Sequence, residues 1–356
     1  MNDKNIQYDP SCMDDYDPAS MDALIAQQHI LHSIHSITDI ETIAIRESLQ
    51  RVLAEDIRST INVPSHTNSA MDGYAIRSQD IPDKDYKNLN LIGTSWAGRP
   101  FDGVVNENEC VRIMTGAVMP RNTDTVVMQE HVNVDGETIT IDHKQKAQQN
   151  VRQAGEDIAE GDVAFNPGKF IHPADIGLIA SLGIGEVKVF RKPRVAFFST
   201  GDELVSIGTE LKEGQIYDSN RYTLWSMLTR IGVEIDDLGV IKDTPEAVED
   251  AFIRASESAD IVITSGGVSV GDADFVKTTL EKLGKVNFWK VAMKPGRPLA
   301  FGKINNAYFF GLPGNPVSVM VTFYIFVQAA IEKLMGHTPK PRVQIQAISN
   351  SDLRKR

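Results

Sequence analysis

Apolar residues recur at three- and four-residue spacing along residues 21–34, and this spacing predicts an amphipathic helix. A second helix is predicted over residues 47–54. From residue 57 to residue 144 the pattern changes to short β-rich runs separated by turn residues. The Asp135-Gly136 pair lies between two of these runs and indicates a hairpin. The first half of the chain therefore combines helical segments with a compact β-rich domain.

Strands and helices alternate between residues 192 and 336. Strands are predicted for the apolar runs 194–199, 233–240, 260–264, 286–291, 299–302 and 307–312. Cap or proline signals open helices at Asp218, Thr244 and Pro316. This order is typical of a mostly parallel sheet with helices on both faces, which binds ligands at the carboxyl ends of its strands.

The fold class predicted from these patterns is multidomain, α/β plus β. A discontinuous domain holds an inserted β-rich domain and is followed by a mostly parallel α/β domain. The run 342–348 predicts one further strand, and because a lone strand is not stable, we expect it to open a β domain that is cut short. The expected segments are an acidic, loose tail (1–19), a discontinuous helical and mixed domain (20–56 and 145–187), the β-rich domain (57–144), the α/β domain (188–336) and the start of the C-terminal β domain (337–356).

The composition of the chain argues against three classes of protein: nucleic-acid binders, disulfide scaffolds and membrane-spanning proteins. The formal net charge is −12 and aromatic residues make up 7% of the chain, which argues against a nucleic-acid partner. Cys12 and Cys110 form no C-x-x-C pair, so a disulfide scaffold is not expected and a reducing cytoplasm is. The most apolar stretch, residues 317–331, is interrupted by polar residues and is shorter than a membrane span. We expect a cytoplasmic protein without a membrane partner.

The strand ends of the predicted α/β domain carry acids, glycines and cations together. Glycines let the backbone approach a phosphate, and carboxylates beside them can hold a hard cation such as Mg²⁺. Each residue by itself also fits a turn or a helix cap, but the combination favours metal-assisted chemistry on a phosphorylated ligand. The residues are Glu203, Asp243, Gly266, Gly267, Asp274, Lys290, Lys294 and Arg297.

The β-rich domain offers a second cluster. Asp72 lies in a small polar segment before an apolar residue, and Thr115 follows a predicted strand at a tight turn. A structural role as turn residues and a functional role are about equally consistent with this pattern.

Motifs spread over residues 20–340 resemble the molybdopterin molybdenumtransferase family, the MoeA and gephyrin E-domain group. They occur in the family's order, which is more specific than any single motif. The motifs are NSAMDGYA (68–75), MTGA (114–117), GED (155–157), STGDEL (199–204), YDSN (217–220), SGGVSVG (265–271), KPGRP (294–298) and GLPGNPVS (311–318).

The resemblance implies an elongated, discontinuous first domain, a β-rich second domain, a molybdopterin-binding α/β third domain and a C-terminal β-barrel, most of which this sequence lacks. It implies the last step of molybdenum cofactor synthesis: adenylated molybdopterin and molybdate react with Mg²⁺ present, AMP leaves, and molybdenum is held by the dithiolene. It also implies a homodimer. Molybdopterin adenylyltransferase and acceptor molybdoenzymes are the other partners that fit this pathway position.

The resemblance assigns roles to individual residues. Glu203 and Asp274 match the acids near Mg²⁺ and the pyrophosphate, and Asp243 matches a further cleft carboxylate. Asp72 and Thr115 match the contribution of the β-rich domain to the partner subunit's cleft. The expected substrate- and anion-binding residues are Ser219, Asn220, Gly266, Gly267, Lys290, Lys294, Arg297, Pro313, Pro316 and Ser318.

Two alternatives stay open at this point. Molybdopterin adenylyltransferase shares the fold of the third domain, but the separate β-rich domain with Asp72 and Thr115 speaks against it. A non-catalytic dimeric scaffold is the other alternative, because gephyrin also anchors receptors. ATP consumption would identify the first alternative, and the absence of substrate-dependent AMP release would favour the second.

Overall fold

The structure is a computed structural model that describes residues 20–266, 275–337 and 345–352. The predicted acidic tail (1–19), Gly267 and Asp274 lie outside the described residues. What the sequence implies for them stays a prediction.

Strands and helices of the described residues carry the following labels. The strands are β1 (Ile40–Ala44), β2 (Ile57–Arg58), β3 (Asn68–Ser69), β4 (Gly73–Ile76), β5 (Tyr86–Ser95), β6 (Glu109–Ile113), β7 (Thr125–Met128), β8 (Asn133–Asp135), β9 (Thr138–Asp142), β10 (Val151–Arg152), β11 (Val163–Phe165), β12 (Glu186–Phe190), β13 (Arg194–Thr200), β14 (Leu204–Val205), β15 (Ile216–Tyr217), β16 (Glu234–Ile241), β17 (Ile261–Ser265), β18 (Gly284–Lys290), β19 (Pro298–Ile304) and β20 (Ala307–Leu312). The α-helices are α1 (Ala23–Ser33), α2 (Pro173–Ser181), α3 (Ser219–Ile231), α4 (Pro245–Ser258), α5 (Phe275–Leu283), α6 (Pro316–Thr322) and α7 (Gln328–Leu334).

The described residues group into two compact units. The first unit comprises the described parts of Met1–Ala54, Pro167–His172 and Glu186–Arg356, and the second comprises Glu55–Asn166 and Pro173–Gly185. Helix α1 thus belongs to the unit that contains the α/β sheet.

The sheet of the first unit has the strand order β16-β13-β17-β20-β19-β18. Strand β13 is parallel to β16 and β17, and β17 is parallel to β20. Strand β19 runs antiparallel to both β20 and β18. The predicted α/β sheet is therefore present, with a parallel half and an antiparallel edge.

Both faces of this sheet are covered by apolar side chains. Successive residues of a strand point to opposite faces, so neighbouring apolar residues contribute to both. On one face Phe197 and Phe310 pack with buried residues of α1, α3 and the α6–α7 helix. On the other face Phe198 and Phe309 pack with Phe252 of α4 and with α5. The result is a three-layer α/β/α arrangement.

Helix boundaries in this unit follow the local signals in the sequence. The side chain of Asp218 accepts a hydrogen bond from the Arg221 amide at 3.0 Å and caps α3. Thr244 caps α4 in the same way, with Pro245 at its first position. Gly232 ends α3 at φ +85°, in the left-handed region where glycine is favoured.

The second unit is built on another sheet, of order β7-β4-β6-β5-β9-β8. Its β8–β9 hairpin turns at Gly136, as the sequence predicts. Buried residues on one face include Tyr74, Cys110 and Val127. A separate buried group on the other side includes Ile113 and Val126. The β-rich domain is therefore a sheet with apolar cover on both sides.

One helix of the described residues, Pro316–Leu334, is long and apolar enough to cross a membrane, with a mean hydropathy of 1.5. It comprises α6, the π-helical segment Phe323–Val327 and α7. Phe323, Phe326 and Ile331 have no exposed surface and belong to the core cluster of the α/β sheet. This burial indicates a core helix.

Two local predictions differ from the structure of the described residues. Residues 48–54 form no helix; instead Val52 bridges Phe170 and Leu53 bridges Val189, so pairing within the unit overrides helix propensity there. In the described part of 342–348 there is no strand, and Ile345 is 84% exposed. No described residue pairs with this segment, and a strand needs a partner to form.

Candidate functional site

The sheet of the first unit brings the predicted site segments to one edge. Strands β13, β16, β17 and β20 are parallel, so their carboxyl ends lie together. Strand β18 runs in the same direction as β20, because β19 is antiparallel to both. The residues that end or follow these strands at this edge are Glu203, Asp243, Gly266, Lys290 and Pro313.

Acidic residues cluster after β13 and β16. Burial raises the pKa of Asp243, and the negative charges of Asp202 and Glu203 raise it further. A β-carbon added to Gly201 would lie 2.5 Å from Oε2 of Glu203, so the glycine leaves room for that carboxylate. These residues form a compact patch of negative charge at the strand ends.

A cavity of about 420 Å³ adjoins this acidic patch. Gly201, Asp202 and Lys242 line it, together with the hydroxyl residues Ser206 and Thr209. The aliphatic side chains of Leu204, Val205, Val240 and Ile241 form the rest of its wall, so the cavity combines charged and hydroxyl groups with apolar surface.

The amino-terminal turn of α3 is tied to two neighbouring strand ends. Asn220 donates from Nδ2 to Oγ of Ser265 at 2.9 Å and to the carbonyl of Gly314 at 2.7 Å. Gly266, at φ +94°, passes so close to β13 that a β-carbon there would lie 2.8 Å from the Thr200 carbonyl oxygen. Asn220 and Gly266 therefore fix the backbone of this edge, whereas Ser219 is exposed at the start of α3.

Two polar atoms at this turn are buried without a hydrogen-bond partner among the described residues. They are Oδ2 of Asp218 and Oδ1 of Asn220. Since buried polar atoms are normally paired, a donor from a ligand, from water or from a residue outside the described ranges completes these acceptors.

Residues 290–298, which we call the cation loop, contain three of the predicted anion-binding residues. Lys290 ends β18 opposite Pro298, and the Val291 amide donates to the Arg297 carbonyl at 2.7 Å, which closes the loop. The backbone of Met21, just before α1, pairs with both sides of Val291 in the first unit. Lys294 is exposed and Arg297 is half-buried. The cations Lys294 and Arg297 therefore lie on a backbone that these hydrogen bonds hold in place.

The loop after β20 leads into α6. Asn315 caps this helix by accepting hydrogen bonds from the amides of Val317 and Ser318. Pro316 takes the first helical position, and Pro313 is buried. Ser318 is 6% exposed, so the position predicted for anion binding lies at the bottom of this turn.

The second unit holds Asp72 and Thr115 in direct contact. Oδ1 of Asp72 accepts hydrogen bonds from the amide and the hydroxyl of Thr115, both at 2.7 Å. These two bonds, the amide first, lower the pKa of Asp72 although its carboxylate is exposed to solvent. Asp72 is therefore an exposed carboxylate that is held in its ionised form.

Arg112 is the residue near Asp72 that sequence reasoning missed. It donates to the Tyr74 hydroxyl at 3.0 Å and to Gln129, and its charge contributes to the lowered pKa of Asp72. The sequence feature that points to this residue is its place in β6, between Val111 and Ile113, which are both buried. An ionised side chain at such a position requires partners.

Two family models match the chain. The MoeA N-terminal region (domain I and II) matches residues 21–183, and a probable molybdopterin binding domain matches residues 196–333. The molybdopterin molybdenumtransferase of Haemophilus influenzae is 50% identical over 333 residues, which cover 93% of this chain and 82% of that protein. The chain belongs to the molybdopterin molybdenumtransferase family. The predicted family membership is confirmed.

Further family members agree with this assignment. The molybdopterin molybdenumtransferase of Nostoc sp. is 38% identical over 86% of this chain and 72% of that protein. Gephyrin from Dictyostelium discoideum is 40% identical, over 84% of this chain and 47% of gephyrin. The crystal structure of a molybdopterin biosynthesis MoeA protein from Pyrococcus horikoshii has a TM-score of 0.78 and 30% identity, covering 90% of this chain and 80% of that one. The fold is thus that of MoeA proteins.

Proposed function

We propose that this chain is a molybdopterin molybdenumtransferase. It takes adenylated molybdopterin and molybdate as substrates, releases AMP by cleaving the phosphoanhydride, and leaves molybdenum on the dithiolene sulfurs. One observation supports this proposal most directly. In this member of the family, the acids Glu203 and Asp243, the closely packed Gly266 and the cation loop all lie at one edge of the sheet. This combination suits a phosphoanhydride and an oxyanion.

We propose Mg²⁺ as the cofactor of the acidic patch. Glu203 and Asp243 would supply oxygen ligands of the kind that Mg²⁺ prefers. Asp202 adds negative charge beside them, which together with burial raises the pKa of Asp243. Among the described residues no three metal-ligating side chains are close enough to hold an ion by themselves. Mg²⁺ commonly takes one or two carboxylates and completes its shell with substrate phosphates. Bound there, it would neutralise negative charge on the departing phosphate. The role that the resemblance implies for Asp274 stays a prediction.

We also propose that the chain is cytoplasmic and forms a homodimer. A molybdopterin adenylyltransferase would supply its adenylated substrate, and molybdoenzymes would accept its product. The support is the family resemblance, which implies that the exposed, ionised Asp72 serves the partner's cleft in addition to holding the Thr115 turn. The start of a C-terminal β-barrel in residues 337–356 remains an expectation from the resemblance.

The direct test is AMP release from adenylated molybdopterin by the purified chain with molybdate and Mg²⁺. We expect release that requires molybdate, and a loss of about 10²-fold or more in Glu203→Gln, since a lost charge-stabilising group costs this much. Exposed Glu210→Gln, another acid-to-amide change, serves as the matched control. Molybdate-independent release, or consumption of ATP, would reject this function.

A further inference from the structure

The cation loop packs directly against helix α6 at Gly296. A β-carbon on Gly296 would lie 2.9 Å from Cγ2 of Thr322 and 2.9 Å from Cε of Met293. Gly296 also has φ +98°, which side chains rarely adopt. The backbone of the cation loop therefore comes closer to Thr322 than any residue with a side chain would allow.

Through its hydroxyl, Thr322 contacts the first turn of α6 at Ser318, which we call the Ser318 turn. This hydroxyl group is fully buried, and its single hydrogen is shared between the carbonyl oxygens of Ser318, at 2.7 Å, and Val319, at 3.1 Å. Those hydrogen bonds fix the rotamer of a β-branched side chain, and the rotamer directs the Cγ2 methyl at Gly296. One side chain thus touches both the turn of Ser318 and the loop of Lys294 and Arg297.

We propose that Thr322 is a positioning residue that sets the spacing between the cation loop and the Ser318 turn, and thereby the affinity for molybdate. The proposal rests on the proposed function and on the resemblance, which assigns anion binding to residues of both segments. Thr322 is buried behind them and acts through its methyl contact. The spacing of an oxyanion's partners matters because displacements well under 1 Å weaken a preorganised site.

Thr322→Ser is the informative variant, because it keeps the hydroxyl and removes only the methyl that meets Gly296. We expect molybdate binding, measured by equilibrium dialysis, to weaken about fivefold, as for substitutions in a coupled contact. The KM for molybdate should rise in parallel while kcat stays within about twofold. Thr229→Ser makes the same change on α3, where Thr229 donates to the Trp225 carbonyl at 2.8 Å, and should leave molybdate binding unchanged.

Gly296→Ala supplies the partner substitution for a double-mutant cycle. By itself it should weaken molybdate binding about tenfold or more, since the added β-carbon would lie 2.9 Å from both Thr322 and Met293 at a φ of +98° and would force the loop to shift. Added to Thr322→Ser, it should cost less than it does alone, because serine removes the contact with Cγ2 and leaves only the contact with Cε of Met293.

The outcomes separate this proposal from the proposed function. Unchanged molybdate binding in folded Thr322→Ser, checked by its thermal unfolding midpoint, overturns the positioning role even if wild type releases AMP. Additive effects in the cycle overturn it as well. Weaker molybdate binding in a chain that releases no AMP would reject the proposed function and support the positioning role.

Discussion

At the residue scale, burial decides whether a side chain can react. Cys110 lies fully buried in β6, and burial raises the pKa of its thiol to about 12. Because the thiolate is the reactive form, this cysteine is inert in the folded chain. Its apolar environment in the sheet of the second unit indicates a packing role.

A thiol assay checks this. In a Cys12→Ser variant, Cys110 is the one cysteine left, and we expect no reaction with a disulfide reagent at pH 8. Unfolding the same variant in guanidinium should release one reactive thiol per chain. Rapid modification of the folded variant would contradict the packing role of Cys110.

The acidic residues at the sheet edge predict that AMP release depends on pH. Since the pKa of Asp243 is raised, this carboxyl is ionised only above a pH higher than usual for aspartate. A cation needs the ionised form, so Mg²⁺-dependent AMP release should fall as pH decreases through that pKa. Asp202→Asn removes one neighbouring negative charge and lowers the pKa of Asp243, so the acid limb should move to lower pH.

The measurement is the pH profile of AMP release at subsaturating Mg²⁺ for wild type and Asp202→Asn. Asp236→Asn, which changes another acid in β16, is the control and should leave the profile in place. An acid limb that stays fixed in Asp202→Asn would show that the group responsible is not Asp243.

At the element scale, two glycines occupy opposite environments. Gly232 ends α3 at φ +85°, with Oε1 of Gln50 at 3.3 Å from an added β-carbon. Gly177 lies inside α2 with nothing within 4 Å of such a carbon. The same substitution by alanine is therefore strained at Gly232 and free of strain at Gly177.

We expect Gly232→Ala to lower the free energy of unfolding by about 1 kcal/mol, because alanine is disfavoured in the left-handed region. Gly177→Ala should raise it by about 0.5–1 kcal/mol, because it restricts the unfolded chain and suits a helix interior. Thermal unfolding monitored by circular dichroism measures both. A common sign for the two would contradict the assigned backbone roles.

At the scale of the whole molecule, the proposed homodimer makes a complementation prediction. If Asp72 serves the partner's cleft, an Asp72→Asn chain and a Glu203→Gln chain can together form one intact cleft in a mixed dimer. After equal mixing with subunit exchange, we expect AMP release at about a quarter of the wild-type rate. Neither variant should reach this rate alone, and light scattering checks the dimer. No recovery in a dimer shown to exchange would place Asp72 in its own subunit's cleft.

Local signals in the sequence determined much of the α/β unit. The cap of Thr244 followed by Pro245, the Asp218 cap and the apolar runs correctly predicted α4, α3 and the strands of the sheet, because these signals act over a few residues. Ordered motifs determined the family, since several together are specific where each alone is not. Residues 345–348, the described part of the strand predicted over 342–348, show the limit of a local apolar pattern: without a partner it forms no strand.

Tertiary structure alone decided which of these residues meet. Parallel pairing of β13, β16, β17 and β20 brings segments distant in sequence to one edge, and no periodicity encodes that strand order. It also decided that Val52 and Leu53 pair instead of forming a helix. The raised pKa of Asp243 and the contact between Gly296 and Thr322 follow from packing between elements. Short-range propensity determines most elements of the α/β unit, whereas proximity in space sets the charge and the spacing of side chains and overrides propensity at residues 52–53.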